Sequence, residues 1–249
     1  MASKKHPAKY SDALLPIFEK ELEGYDRVLD PFAGTGKIRE VRPDAELLEI
    51  EPEWAEIRGA TVGDALDMPW PDGSFDAVCT SPTYANRMAD HHNARDASKR
   101  NTYRHTLGRE LHPNNSGKLQ WGHKYRLFHF IAWKEVKRVL RPDGKFILNI
   151  SDHIRKGKVV PVAHFHKMLL ILIGFDLVKE YRIETPRQRQ GENGKLRVDH
   201  EMIYVFRKEK ELKSFSFLTQ EFERAWPDMK DIPEGRDMFA HYPVSGVPQ

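Results

Sequence analysis

The sequence predicts a doubly wound α/β domain on a mostly parallel, seven-stranded sheet whose last strand is antiparallel. Two observations predict it. Short apolar runs alternate with helical or turn-rich stretches along most of the 249 residues, the pattern of strands joined by crossover helices. The last two runs are linked by a Gly- and Arg-rich loop too short for a crossover helix, which makes them antiparallel neighbours. An apolar content of 39% supplies a sizeable core and excludes a disordered or collagen-like chain.

The elements follow in order. Residues 27–32 (RVLDPF) are a first buried strand that stops at Gly34 and Gly36. Residues 46–50 (ELLEI) are the second, with a helix starting over 52–57, and 60–65 (ATVGDA) are a short third. The fourth, 75–80 (FDAVCT), is stopped by Ser81-Pro82. Over 124–140, Leu127, Phe128, Ile131, Trp133, Val136, Val139 and Leu140 recur at near-helical spacing. Arg141-Pro142-Asp143-Gly144 ends that helix with turn chemistry. A fifth strand over 145–150 (KFILNI), a helix over 159–173, and strands over 177–183 and 202–207 complete the sheet. From 211 onward one amphipathic helix carries Leu212, Phe215, Leu218, Phe222 and Trp226, ahead of a Pro-rich tail. The expected division is a main domain over 1–210 and a C-terminal helix and tail over 211–249.

Several classes are excluded. The single cysteine, Cys79, allows neither an intramolecular disulfide nor a multi-cysteine zinc site, and lies in a strand as a core residue. The polar N-terminus lacks a signal-peptide stretch, and the longest apolar run, 168–173 (MLLILI), is too short to span a bilayer. A soluble, cytoplasmic protein with no membrane partner is expected.

The strongest local signal is Asp30-Pro31-Phe32-Ala33-Gly34-Thr35-Gly36-Lys37 at a strand end. Its glycines permit a sharp turn and close approach of a ligand to the main chain. It has neither the third glycine of a dinucleotide fingerprint nor the Gly-Lys-Ser/Thr of a P-loop. Glu49 and Glu51 close the second strand, where a carboxylate accepts from both hydroxyls of a ribose. Asp64 closes the third, positioned to accept from an adenine amine. Singly, these acids also read as solvated loop residues; together they mark the sheet edge at which ligands bind.

The fourth strand ends Thr80-Ser81-Pro82-Thr83-Tyr84. With this motif the chain resembles the class I S-adenosylmethionine-dependent DNA amino-methyltransferases that modify cytosine N4 or adenine N6. Asp30 to Gly36 is similar to the family's cofactor motif Asp-Pro-Phe-x-Gly-x-Gly, and Thr80 to Tyr84 to its catalytic (Asp/Asn/Ser)-Pro-Pro-Tyr. His6-Pro7-Ala8-Lys9 and the apolar helix after it (Leu14, Leu15, Ile17, Phe18) resemble the segment lying over the cofactor's methionine part. The resemblance covers roughly residues 6–208. It implies a Rossmann-like fold and S-adenosylmethionine as cofactor, bound by Pro7, Lys9, Asp30, Phe32, Ala33, Gly34, Gly36, Glu49 and Asp64. It also implies catalysis by Ser81, Pro82 and Tyr84. Serine at the motif head leans towards cytosine N4. The chain departs from the pattern at Thr83, which replaces the second proline.

The chemistry explains these residue types. An exocyclic base amine is a poor nucleophile because its lone pair is delocalised into the ring. Acceptors that bind both amine hydrogens favour a pyramidal nitrogen that attacks in line. In the family these acceptors are the first motif side chain, here Ser81, and the next main-chain carbonyl, here Pro82, while the aromatic, here Tyr84, stacks on the base. A base inside a duplex must flip out or be single-stranded.

Residues 85–126 form an unusually long polar insert between the fourth strand and its helix. Nine of its residues are basic (Arg87, Arg95, Lys99, Arg100, Arg104, Arg109, Lys118, Lys124 and Arg126) and three are acidic, a net +6. The whole chain carries only +3, so the remainder is −3. Basic side chains mixed with amides, Tyr103 and Trp121 suit phosphate contact and base stacking. Arg87, Arg95, Lys99, Arg100, Arg104 and Arg109 are the expected nucleic-acid contacts; a solvated loop is the plainer alternative. The five histidines of the insert fit no metal-site spacing, and no metal is expected. DNA is the expected partner. An RNA base amino-methyltransferase and, given Thr83, an inactive nucleic-acid-binding fold are the alternatives.

Overall fold

The computed structural model describes residues 11–85, 103–185, 198–209 and 216–230. Leu14, Phe18 and Leu22 recur every fourth residue along α1 (Leu15–Leu22) and the turn before it, and bury completely on one face. β1 (Val28–Asp30), β2 (Glu46–Glu49), α2 (Pro52–Arg58), β3 (Thr61–Val62) and β4 (Phe75–Thr80) follow. Next come α3 (Tyr103–Leu107), α4 (His123–Val139) and β5 (Leu140–Ile150). A hairpin of β6 (His153–Arg155) and β7 (Lys158–Val160) leads into α5 (Val162–Leu172), β8 (Phe175–Glu184), β9 (His200–Lys208) and α6 (Ser216–Ala225).

Among the described residues one seven-stranded sheet runs β3-β2-β1-β4-β5-β9-β8. β1 pairs in parallel with β2 and β4, β2 with β3, and β4 with β5, while β9 runs antiparallel to both neighbours. The chain builds outward from β1 to β3, then returns to lay β4 on the other side of β1. This reversal opens a crevice at the C-terminal ends of β1 and β4, where ligands of open α/β sheets bind.

Period-two alternation divides the sheet's side chains between two apolar layers. Ala77, Cys79, Ile147, Ile203 and Val205 face α1. Val78, Phe146, Leu148, Ile150 and Phe206 face α4 and α5. α6 joins the second layer, with the rings of Phe222 and Trp226 5.8 and 5.1 Å from that of Phe165. The C-terminal helix therefore packs on the core of the domain expected over 1–210.

Three elements differ from expectation. Residues 141–144 do not separate helix from strand but bulge within β5: Phe75 pairs with Leu140 and Ala77 with Lys145. Asp143 there takes φ 62°, and a Cβ on Gly144 would meet Arg141 O at 2.8 Å. The helix expected from 159 begins at Val162, because Val159 and Val160 pair with Ile154 and His153 and Pro161 follows. β3 has only two residues, since Asp64 turns away to bridge Asp67. No helix of the described residues is long and apolar enough to cross a membrane.

Candidate active site

β1 delivers Asp30 to the crevice at 1% exposure. Its Oδ1 accepts from Thr80 Oγ1 at 2.6 Å and from the Phe32 amide at 3.1 Å. Its Oδ2 is buried with no hydrogen-bond partner among the described residues, and burial pushes the carboxyl up to about 6. The chain then turns through Gly34 and Gly36, at φ 50° and 66°, a backbone that other residues adopt only under strain. A Cβ on Gly36 would also press on Leu47 Cδ1 at 3.0 Å. Ala33 is buried beneath the turn, and Phe32 anchors it to α4, its ring 5.8 Å from that of Trp133 and 6.2 Å from those of Phe128 and His129.

At the end of β2, Glu49 accepts from the Gly34 amide at 3.0 Å and from the Glu51 amide at 3.1 Å. Burial pushes its carboxyl up to about 7. Beside it opens a cavity of about 620 Å³, lined among others by Glu51, Val62, Asp64, Arg109, His112 and Pro113. Glu51 is fully buried. Its Oε1 accepts from the His112 amide at 2.8 Å and Asn115 Nδ2 at 2.7 Å, and Arg109 Nη2 lies 2.8 Å from Oε2. Asp64 accepts from Asn114 Nδ2 at 2.6 Å.

These contacts change the picture of the insert. Its second half folds as α3 and a short 3-10 turn (Ser116–Lys118) against the rim of the cavity. Tyr103, Leu107 and Leu111 bury against Trp54, with the Tyr103 and Trp54 rings 5.1 Å apart. The guanidinium of Arg109 is held by Glu51 and Glu53, and Arg104 pairs with Glu110. The structure thus gives these two expected nucleic-acid contacts carboxylate partners within the protein. Arg87, Arg95, Lys99 and Arg100, like Pro7 and Lys9, lie outside the described residues.

The exit of β4 carries the other motif. Ser81 Oγ lies 2.8 Å from the Tyr84 hydroxyl, which donates to Glu201 Oε2 at 3.0 Å. Asn149 Nδ2 reaches Ser81 Oγ at 3.1 Å, Tyr84 OH at 2.8 Å and Glu201 Oε2 at 2.7 Å. Pro82 is buried. Neither Asn149 nor Glu201 was singled out from sequence. The available signal was a lone amide in the apolar run KFILNI and an acid at the start of HEMIYVF.

Thr83 is fixed from two sides. Its hydroxyl donates to Ser116 Oγ at 3.0 Å, and its carbonyl accepts from Tyr125 OH at 2.9 Å. Behind Tyr125, His166 Nδ1 accepts from Trp133 Nε1 at 2.9 Å, so its Nε2 carries the proton and donates to Tyr125 OH at 3.0 Å. Burial pushes His166 well below its ordinary value, which keeps this tautomer neutral. Cys79 is buried and its thiol is pushed up by burial, in keeping with a core role.

A family model of the N6/N4 methyltransferase type, described as DNA methylase, matches residues 75–241. No curated protein matches. Among solved structures, an S-adenosylmethionine-dependent methyltransferase from Methanosarcina mazei aligns at 15% identity and TM-score 0.50, over 79% of this chain and 98% of that one. The [4+2]-cyclase SpnF aligns at 16% identity and TM-score 0.51, over 80% of each chain. At such identities the likeness is one of fold, the class I methyltransferase fold, which a cyclase shares.

Proposed function

The chain belongs to the DNA methylase family of N4/N6 amino-methyltransferases, and from that premise we propose that it methylates an exocyclic amine of a DNA base, with cytosine N4 favoured. One observation carries the proposal: the 2.6 Å hydrogen bond from Thr80 to Asp30. It joins the cofactor turn to the catalytic loop across 50 residues of sequence. A methyl donor held at one motif thereby lies beside a nucleophile held at the other, and such placement supplies much of the rate.

The cofactor is S-adenosylmethionine, which supplies an electrophilic methyl group on a sulfonium. The donor set fits it. Its ammonium, ribose hydroxyls and adenine amine are all hydrogen-bond donors, and the crevice presents acceptors. The buried Oδ2 of Asp30, without a partner among the described residues, is one; Glu49 and Asp64 stand at the ends of β2 and β3. Phe32, Ala33, Gly34 and Gly36 shape the turn between them, and Pro7 and Lys9 complete the proposed set. On the substrate side, Ser81 Oγ and the Pro82 carbonyl accept the two amine hydrogens, and the Tyr84 ring stacks on the base. Arg87, Arg95, Lys99 and Arg100 are proposed to hold the phosphates. Residues 1–210 form the catalytic domain of this reading, extended by α6.

The test is transfer of labelled methyl from S-adenosylmethionine to DNA and, separately, to RNA. Label on DNA is expected. Label on RNA alone overturns the DNA substrate, and label on neither overturns methyl transfer to nucleic acid.

A further inference from the structure

The polar cluster at the sheet edge has a direction. Ala77, Cys79 and Ser81 alternate along the exit of β4, and the first two lie in the α1-facing layer. On β5, Ile147 lies in that layer and Asn149 follows two residues on. Asn149 pairs with Ile203 across the antiparallel ladder, so Glu201 is its diagonal neighbour on the same face. An otherwise apolar layer thus ends in a polar row of Ser81, Asn149 and Glu201, with Asn149 fully buried and Glu201 7% exposed. Burying a polar network is costly against an apolar alternative of the same shape, so a row placed here calls for a role.

The protons can be counted. Tyr84 has one, and it goes to Glu201 Oε2. The Asn149 amide nitrogen donates and cannot accept. Within the cluster, the acceptor left for the Ser81 hydroxyl proton is Tyr84 oxygen, 2.8 Å away. The hydrogen bonds therefore run from Ser81 to Tyr84 to Glu201 and end on a carboxylate. With its own proton directed to Tyr84 and one lone pair facing Asn149, Ser81 Oγ keeps a lone pair for an amine hydrogen.

We propose that Glu201 is the positioning residue of this site: through Tyr84 it sets Ser81 as an acceptor and receives the proton released by the methylated amine. This rests on the amino-methyltransferase reading of the same site. As the nitrogen–carbon bond forms, the carbon–sulfur bond breaks with its electron pair left on sulfur, and the nitrogen becomes cationic. It regains neutrality by passing a proton to Ser81 Oγ. The Ser81 proton moves to Tyr84 oxygen and the Tyr84 proton to Glu201, which ends as the neutral acid and later yields its proton to water. The two amide hydrogens of Asn149, whose nitrogen lies within 3.1 Å of all three oxygens, are shared among them and hold the row together. The Tyr84 phenol thus has a function apart from the ring.

The test uses single-turnover methylation of DNA by the full chain, with S-adenosylmethionine and DNA affinities measured alongside. Glu201→Gln is expected to slow turnover on the order of 10²-fold, the scale of a missing proton-transfer partner, with both affinities unchanged. Tyr84→Phe keeps the ring but cuts the relay, and is expected to give a similar loss; it also serves if Glu201→Gln does not fold. Combining Glu201→Gln with Ser81→Ala is expected to cost less than about twofold beyond Ser81→Ala alone, because both act at one point. Wild-type rates in Tyr84→Phe or Glu201→Gln, or losses that multiply in the double variant, overturn the assignment while leaving the proposed function standing. No transfer by the wild-type protein overturns both.

Discussion

Thr83 donates its hydroxyl to Ser116 Oγ at 3.0 Å, tying the loop after β4 to the folded half of the insert. The residue stands where the resembling motif has a proline. A proline ring restrains one backbone angle; here the restraint comes from hydrogen bonds, one from the Thr83 side chain and one to its carbonyl from Tyr125. Thr83→Val keeps the shape and removes the hydroxyl, so it should cost about 1 kcal/mol and lower the melting temperature by about 2–4 °C. Turnover should fall while Thr83→Ser retains it. Thermal melts and methyl-transfer rates of the two variants check this.

The two buried carboxyls at the ends of β1 and β2 make stability depend on pH. Asp30 is raised from 3.8 to about 6 and Glu49 from 4.5 to about 7, both chiefly by burial. A raised folded-state value means that the folded protein holds protons the unfolded chain has released. Their stabilising contribution is therefore complete below about pH 4 and is lost as pH rises through about 6 for Asp30 and about 7 for Glu49. Asp30→Asn should flatten this slope, removing a loss on the order of 2–3 kcal/mol between pH 4 and 7.5. Denaturant unfolding across that range measures it. Donors of the cofactor favour the ionised carboxyls, so binding near pH 6 should release protons, as seen by calorimetry in buffers of different ionisation enthalpy.

Arg109 and the basic residues before it should behave differently under salt. Arg109→Ala leaves the fully buried Glu51 without its cation, which should cost about 1–3 kcal/mol and weaken cofactor binding. The salt slope of DNA binding should hardly move. Neutralising Arg95, Lys99 and Arg100 together should instead reduce that slope by about 0.9 for each phosphate left without its cation, with cofactor affinity intact. Binding titrations over a salt series separate the two sets; a reduced slope in Arg109→Ala would return that residue to the DNA interface.

The framework of the site was legible because it depends on local order. Asp30, Glu49, Asp64 and Ser81 each follow an apolar run, and a doubly wound sheet carries such positions to one edge whatever the loops do. The alternation that buries Cys79 also orients Ser81. Partners that meet only across the fold were not legible. Asn149 sits in a run whose other residues read as core, and its approach to Glu201 depends on the antiparallel register of Asn149 with Ile203. Local charge likewise marked Arg109 as a free cation, whereas Glu51 and Glu53, more than 50 residues away, claim it. The +6 insert is therefore less open a footprint than its count suggests, since Arg109, His112 and Pro113 of its second half line the cavity beside Glu51.

The central claim is amine methylation at Ser81, and nucleoside mass spectrometry of DNA treated with S-adenosylmethionine and either wild-type protein or Ser81→Ala tests it most directly. The wild-type protein should yield N4-methyldeoxycytidine, and Ser81→Ala should yield it on the order of 10²-fold more slowly, the scale of losing one preorganised polar group, with cofactor affinity unchanged. A DNA digest without methylated exocyclic amines, or equal yields from the two proteins, would contradict the account.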